Sequence, residues 1–150
     1  MLALIAIPVF SQSNEVVGFW LTEECDSQIQ IFKTSDNRYS GKVAWMMKDL
    51  DAKDDKNPNP KLQNQKILGL QILSNFTFNK EDNEWINGTI YDPKNGKTYD
   101  CYLWFDNDKT TLKIKGFVLG MRFLGSETTW KREKNLRPIS PNNKKLTTNN

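Results

Sequence analysis

Hydrophobic and polar positions alternate with a period of two through most of this chain. That is the pattern of strands with one face buried and one face wet. The stretch "QIQIFKT" (28–34) sets Ile29 and Ile31 on one face, and "RYSGKVAWMM" (38–47) aligns Tyr39, Gly41, Val43 and Trp45. "TLKIKGFVL" (111–119) sets Leu112, Ile114, Gly116 and Val118 against Lys113, Lys115 and Phe117. Further strands are predicted at 16–22, 70–79, 84–91, 97–105 and 123–133. Asp92-Pro93-Lys94-Asn95-Gly96-Lys97, between "GTIY" and "KTYDCYLWF", has the chemistry of a hairpin turn, because Asp-Pro starts a turn and Asn-Gly accepts positive φ. It is read as a connection and not as a binding loop.

The rhythm breaks at residues 48–66, "KDLDAKDDKNPNPKLQNQK", a polar stretch long enough to be a lid or a mobile loop. Within it Asn59-Pro60 can cap a short helical turn. About eight strands in hairpin order, with no strong helix between them, have to hide their edges. Closure into a single antiparallel up-and-down β-barrel does that completely. A barrel of about eight strands holds side chains or one small ligand. A β-sandwich is the alternative, and the sequential hairpins favour the meander.

Composition agrees with a folded all-β domain: 37% hydrophobic residues, 11% aromatic and 26% charged. The net charge is +3. Its basicity sits at the end of the chain, where Lys131, Arg132, Lys134, Arg137, Lys144 and Lys145 face only Glu133, so the body before residue 131 is slightly acidic. No surface pairing basic with aromatic residues emerges, which argues against nucleic-acid binding. The domain is placed at 12–135 and a disordered basic tail at 136–150. Residues 2–10 of "MLALIAIPVFSQ" are uncharged, mostly apolar and too few to span a bilayer as a helix. Residues 1–11 are read as the remnant of a secretory signal peptide, cut before Gln12, and the protein as exported to the periplasm or beyond. Export permits a disulfide between Cys25 and Cys101; otherwise Cys101 is a buried thiol and Cys25 an exposed one.

Candidate chemistry is sparse. The chain has no histidine, which excludes histidine-based triads and the common histidine-rich metal sites. No phosphate loop, nucleophile elbow or cofactor-binding pattern is present. Asp49, Asp51, Asp54 and Asp55 form a dense carboxylate group, but their spacing fits no EF-hand and a solvated loop is the preferred reading; no metal site is assigned. Glu81, Asp82 and Glu84 flank a turn without an evident catalytic partner. An enzyme is therefore the least favoured class.

Two groups of residues carry a resemblance. Gly18-Phe19-Trp20 resembles the Gly-x-Trp signature of lipocalin-like barrels, in which an Arg of the last strand stacks on the Trp; Trp130 and Arg132 share a face here, making Arg132 the candidate. In order, "VVGFWLT", "YSGKVAW", "NPNPKLQNQKILGLQIL", "INGTIYDPKNGKTY", "LKIKGFV" and "TTWKR" resemble the bacterial secreted family of domain of unknown function 2147, classed with calycin-like barrels. The family tends to carry Arg where Lys115 stands and Gly-Arg where Gly125-Ser126 stands. The resemblance implies a calycin fold and export, and no established activity.

The expectation is a non-catalytic barrel that binds a small apolar or amphipathic ligand, with Tyr39, Trp45, Tyr99, Leu103 and Ile114 lining the cavity. The alternative is an envelope interaction module with a filled barrel, acting through its outer face, loop 48–66 or tail. On strand 97–105, Tyr102 and Trp104 then point outward, either as a partner contact or covered by the C-terminal tail.

Overall fold

A computed structural model describes residues 11–140. Eight strands succeed one another: β1 (Gly18–Leu21), β2 (Ser27–Lys33), β3 (Tyr39–Met46), β4 (Gln71–Asn79), β5 (Glu84–Asp92), β6 (Lys97–Phe105), β7 (Thr111–Phe117) and β8 (Ser126–Glu133). Each pairs antiparallel with the next, and β8 closes on β1 through Phe19–Glu133, Trp20–Arg132 and Leu21–Lys131. The barrel has no free edge. Short 3₁₀ turns occur at Gln12–Val16, Pro60–Leu62 and Arg122–Leu124.

The connections after β1, β3, β5 and β7 emerge at one end, termed the open end. The N-terminal 3₁₀ turn plugs the other. There the Trp20 indole N–H donates to the Val16 carbonyl at 2.9 Å, the Trp85 indole to the Ser13 carbonyl at 2.9 Å, and the Tyr39 hydroxyl to Asn14 Oδ1 at 2.8 Å. The Arg132 guanidinium lies 4.2 Å over the Trp20 ring and donates to the carbonyls of Lys109, Val17 and Glu15. Gly18 sits at φ +142°, and a Cβ there would stand 3.1 Å from the Arg132 guanidinium. The Gly-x-Trp spacing thus serves this one contact: no side chain at Gly18, and a ring at Trp20 for the cation to cover.

Above that plug the middle of the barrel is closely packed. Trp20, Ile29, Ile31, Leu73, Phe76, Trp85, Leu103, Leu112 and Ile114 form one cluster, and none exposes more than 1% of its surface. Side chains so fully covered adjoin no space that would admit even a water molecule. Small residues let the strands close so tightly: a Cβ on Gly88 would come within 2.4 Å of the Phe76 ring.

Two features differ from expectation, and a third decides between two open alternatives. Trp45 is not in the barrel interior. Gln28 faces Trp45 while Ile29 faces Val43, so Ala44 is an extra residue, and such a bulge switches the faces of the residues after it. Met46 packs against the core instead. Secondly, the segment from 136 to 140 is not disordered: it lies along the outside of β2 and β3. The Gln28 side chain donates to the Asn135 carbonyl at 2.9 Å and accepts from the Arg137 N–H at 3.1 Å, and the Trp45 indole donates to the Pro138 carbonyl at 3.1 Å. Thirdly, Cys25 is an exposed free thiol in the β1–β2 turn and Cys101 a buried free thiol on β6. Residues 1–10 of the proposed leader at 1–11, and the tail beyond 140, lie outside the described residues.

Loop 48–66 is tied to the barrel by buried hydrogen bonds. Its Asp54 is fully buried and accepts from Tyr91 Oη at 2.6 Å, Asn57 Nδ2 at 2.7 Å and Gln65 Nε2 at 3.2 Å. Asn59 caps the Pro60–Leu62 turn, its side chain accepting from the Lys61 N–H at 3.1 Å. The 92–97 segment is a hairpin turn, closed by Gly96 N–H to the Asp92 carbonyl at 2.8 Å.

Candidate functional site

The outer face of β5, β6 and β7 carries the site. Across β5 and β6, Trp85 faces Leu103 and Gly88 faces Cys101, so Ile86 and Asn87 together oppose the single residue Tyr102. This bulge needs Asn87 at φ +61°, a conformation Asn tolerates better than most residues. A bulge of this kind bends the strand that carries it and disrupts the ladder locally.

The β7–β8 connection forms the facing wall. Its Arg122 folds back over the sheet, with the guanidinium 3.6 Å above the Tyr102 ring and donating to Glu84 Oε2 at 2.7 Å. Tyr102 in turn stacks on Trp104 at 5.0 Å and meets Phe117 edge-on at 5.9 Å. Between bulge and wall lies a groove of about 490 Å³. Ile86, Phe117 and Tyr102 supply its apolar surface, while Asn87, Thr89, Asp100 and Arg122 supply polar groups. The volume falls within the range of small-molecule sites. Cys101 touches the floor, and burial pushes its thiol well above the ordinary cysteine range, which favours the protonated form.

The structure brings together few of the residues singled out from the sequence. Tyr102 belongs to the groove and Trp104 supports it; the described part of the tail, up to residue 140, runs over Gln28 and Trp45. Tyr39, Leu103 and Ile114 fill the core. Tyr99 is half-buried near the open end, its hydroxyl accepting from Asn95 Nδ2 at 3.0 Å. Trp130 is buried in the core near the plug, opposite Leu112. Of the acidic groups, Asp54 is enclosed and Glu84 holds Arg122; Asp82 accepts from Asn79. Arg122, Phe117 and Asn87 were not singled out from the sequence. The signal for the bulge was available: Asn87-Gly88 interrupts the alternation inside a strand. Nothing local shows that Arg122 reaches back over Tyr102 to Glu84, which lies 38 residues earlier in the chain.

The plugged eight-stranded meander defines a lipocalin-like barrel. A family model described as "Uncharacterized protein conserved in bacteria (DUF2147)" matches residues 18–132, and the chain belongs to that family. Among solved structures it is similar to "Protein HP1028 from the human pathogen Helicobacter pylori belongs to the lipocalin family". The TM-score is 0.68 and the identity 23%, over 85% of this chain and 94% of that one. At that identity the likeness speaks for the fold. No curated protein matches the chain.

Proposed function

We propose that this protein is a non-catalytic binding protein that holds a small amphipathic molecule in the outer groove and not in the barrel. One observation carries the reading: Tyr39, Leu103 and Ile114, three of the five positions expected to line a cavity, have almost no accessible surface, while the groove at the Asn87 bulge is open and of ligand size. The apolar body of the ligand rests on Ile86, Phe117 and the edge of Tyr102. Its polar end meets Arg122, Asn87 or Thr89. The lipocalin-like fold supports a binding role, as does the burial of Cys101, which favours its protonated form at the floor. The uncharged apolar stretch at residues 2–10 supports placing this role in an exported protein.

Titration of the isotopically labelled protein with the amphipathic dye anilinonaphthalene sulfonate, followed by amide chemical shifts, tests the site. Shifts are expected at Ile86–Thr89, Asp100–Tyr102 and Arg122, and Tyr102→Ala should weaken binding about tenfold. Shifts concentrated at Leu103 and Ile114 would return the site to the barrel interior.

A further inference from the structure

We propose that the open end of the barrel docks on an anionic membrane surface, with the β7–β8 connection entering the lipid interface. A feature other than the groove carries this. Residues 118–124, "VLGMRFL", hold four of the large apolar side chains left exposed: Val118 at 49%, Leu119 at 86%, Phe123 at 78% and Leu124 at 64%. Met47 and Leu62, on the β3–β4 connection of the same end, are exposed as well. Single exposed apolar residues are ordinary, whereas several on one short connection mark a contact.

The segment is also held in place. Leu119 adopts φ +54°, a left-handed conformation that a branched side chain rarely takes, and it is nearly fully exposed there. Arg122 pins the connection to Tyr102 and Glu84. Tertiary contacts therefore present Leu119 and Phe123 to the outside in a set shape. They stand out from the surface and are not among the groove's lining residues. A protein partner would need a matching pocket for them, whereas an interfacial bilayer accepts any apolar protrusion.

Charge complementarity names the kind of membrane. On the connections 47–70, 92–97 and 118–125, basic residues outnumber acidic ones, with Lys53, Lys56, Lys61, Lys94 and Lys97 all exposed. Lysines near apolar insertions favour anionic headgroups. The β1–β2 turn at the same end is acidic, with Glu23, Glu24 and Asp26, and Glu23 accepts from Thr128 at 3.0 Å; the proposed contact is made by the other three connections. Among the described residues no helix is long and apolar enough to cross a membrane.

Co-sedimentation of the full chain with vesicles made of equal parts phosphatidylcholine and phosphatidylglycerol tests this. The wild type should sediment with them, less with pure phosphatidylcholine, and the double variant Leu119→Ser/Phe123→Ser should lose about tenfold or more in partitioning. Both side chains are exposed and neither lines the groove, so the variant should keep its fold and its dye shifts. Failure of the wild type to bind vesicles, or equal binding by the variant, would overturn the proposal. So would gel filtration showing wild-type self-association that the double variant abolishes, without vesicle binding, since the patch would then be an interface between copies.

Discussion

Asp54 shows how one residue converts a polar stretch into structure. Burial raises the energy of its charged form, yet donors on Asn57, Tyr91 and Gln65 outweigh this and hold the carboxyl below its ordinary 3.8. Tyr91 is pushed up to about 12, by burial first and by Asp54 next. Linkage sets the signs. A depressed carboxyl stabilises fully above its unfolded value of about 4 and loses that contribution as pH falls through the folded value. A raised phenol stabilises fully below about 10 and loses its contribution as pH rises towards the folded value. Asp54→Asn should cost about 1–3 kcal/mol at neutral pH and flatten the acid limb, while Tyr91→Phe should flatten the alkaline one. Urea unfolding across the pH range checks both. Asp54 stood in the sequence as one of four clustered aspartates, and nothing local separates it from the other three. Its partner Tyr91 is thirty-seven residues away.

At the scale of elements, the β5–β6 hairpin turn and loop 48–66 act as one unit. Gly96 sits at φ +70°, and a Cβ there would meet the Lys56 carbonyl oxygen at 2.0 Å. The turn therefore needs glycine twice, once for its own backbone and once for the loop lying on it. Gly96→Ala should destabilise by about 2 kcal/mol and speed amide exchange at Asp54 and Asn57, detected by hydrogen exchange. If only global stability fell, with the loop amides unchanged relative to the strands, the coupling would be disproved. The turn itself was legible from Asp-Pro and Asn-Gly, whose backbone preferences are local. Alternation likewise marks the strands, because period two comes from the pleat alone. It fails at Ala44 and at Asn87, where a bulge shifts the register and, in the first case, moves Trp45 outside. A bulge depends on what the neighbouring strand presents, so it leaves only a faint trace in its own strand.

For the molecule as a whole, closure and wrapping decide what is surface. The C-terminal segment straps β2 and β3, and Arg137 joins them by pairing with Glu133 at 2.6 Å and lying 5.2 Å from the Trp45 ring. Removal of residues 135–150 should uncover Trp45 and Gln28, red-shift tryptophan emission and cost about 1–3 kcal/mol in urea unfolding. An unchanged spectrum would mean that the strap contributes no cover. The strap was invisible as structure because its composition is rich in Pro, Asn and Lys, and its order is supplied by the barrel it lies on.

The amino-acid sequence by itself determined the all-β class, the hairpin order and the Gly18–Trp20–Arg132 closure as a resemblance, since these rest on periodicity, turn chemistry and spaced residue types. Whether the barrel is hollow was decided only in three dimensions. Interior alternation looks the same for a lining as for a packed core, and the difference lies in how closely Gly41, Gly88 and their facing side chains let the strands approach. The groove was decided there too, because it needs a bulge on one strand, aromatic rings on the next and an arginine returning from a connection beyond both.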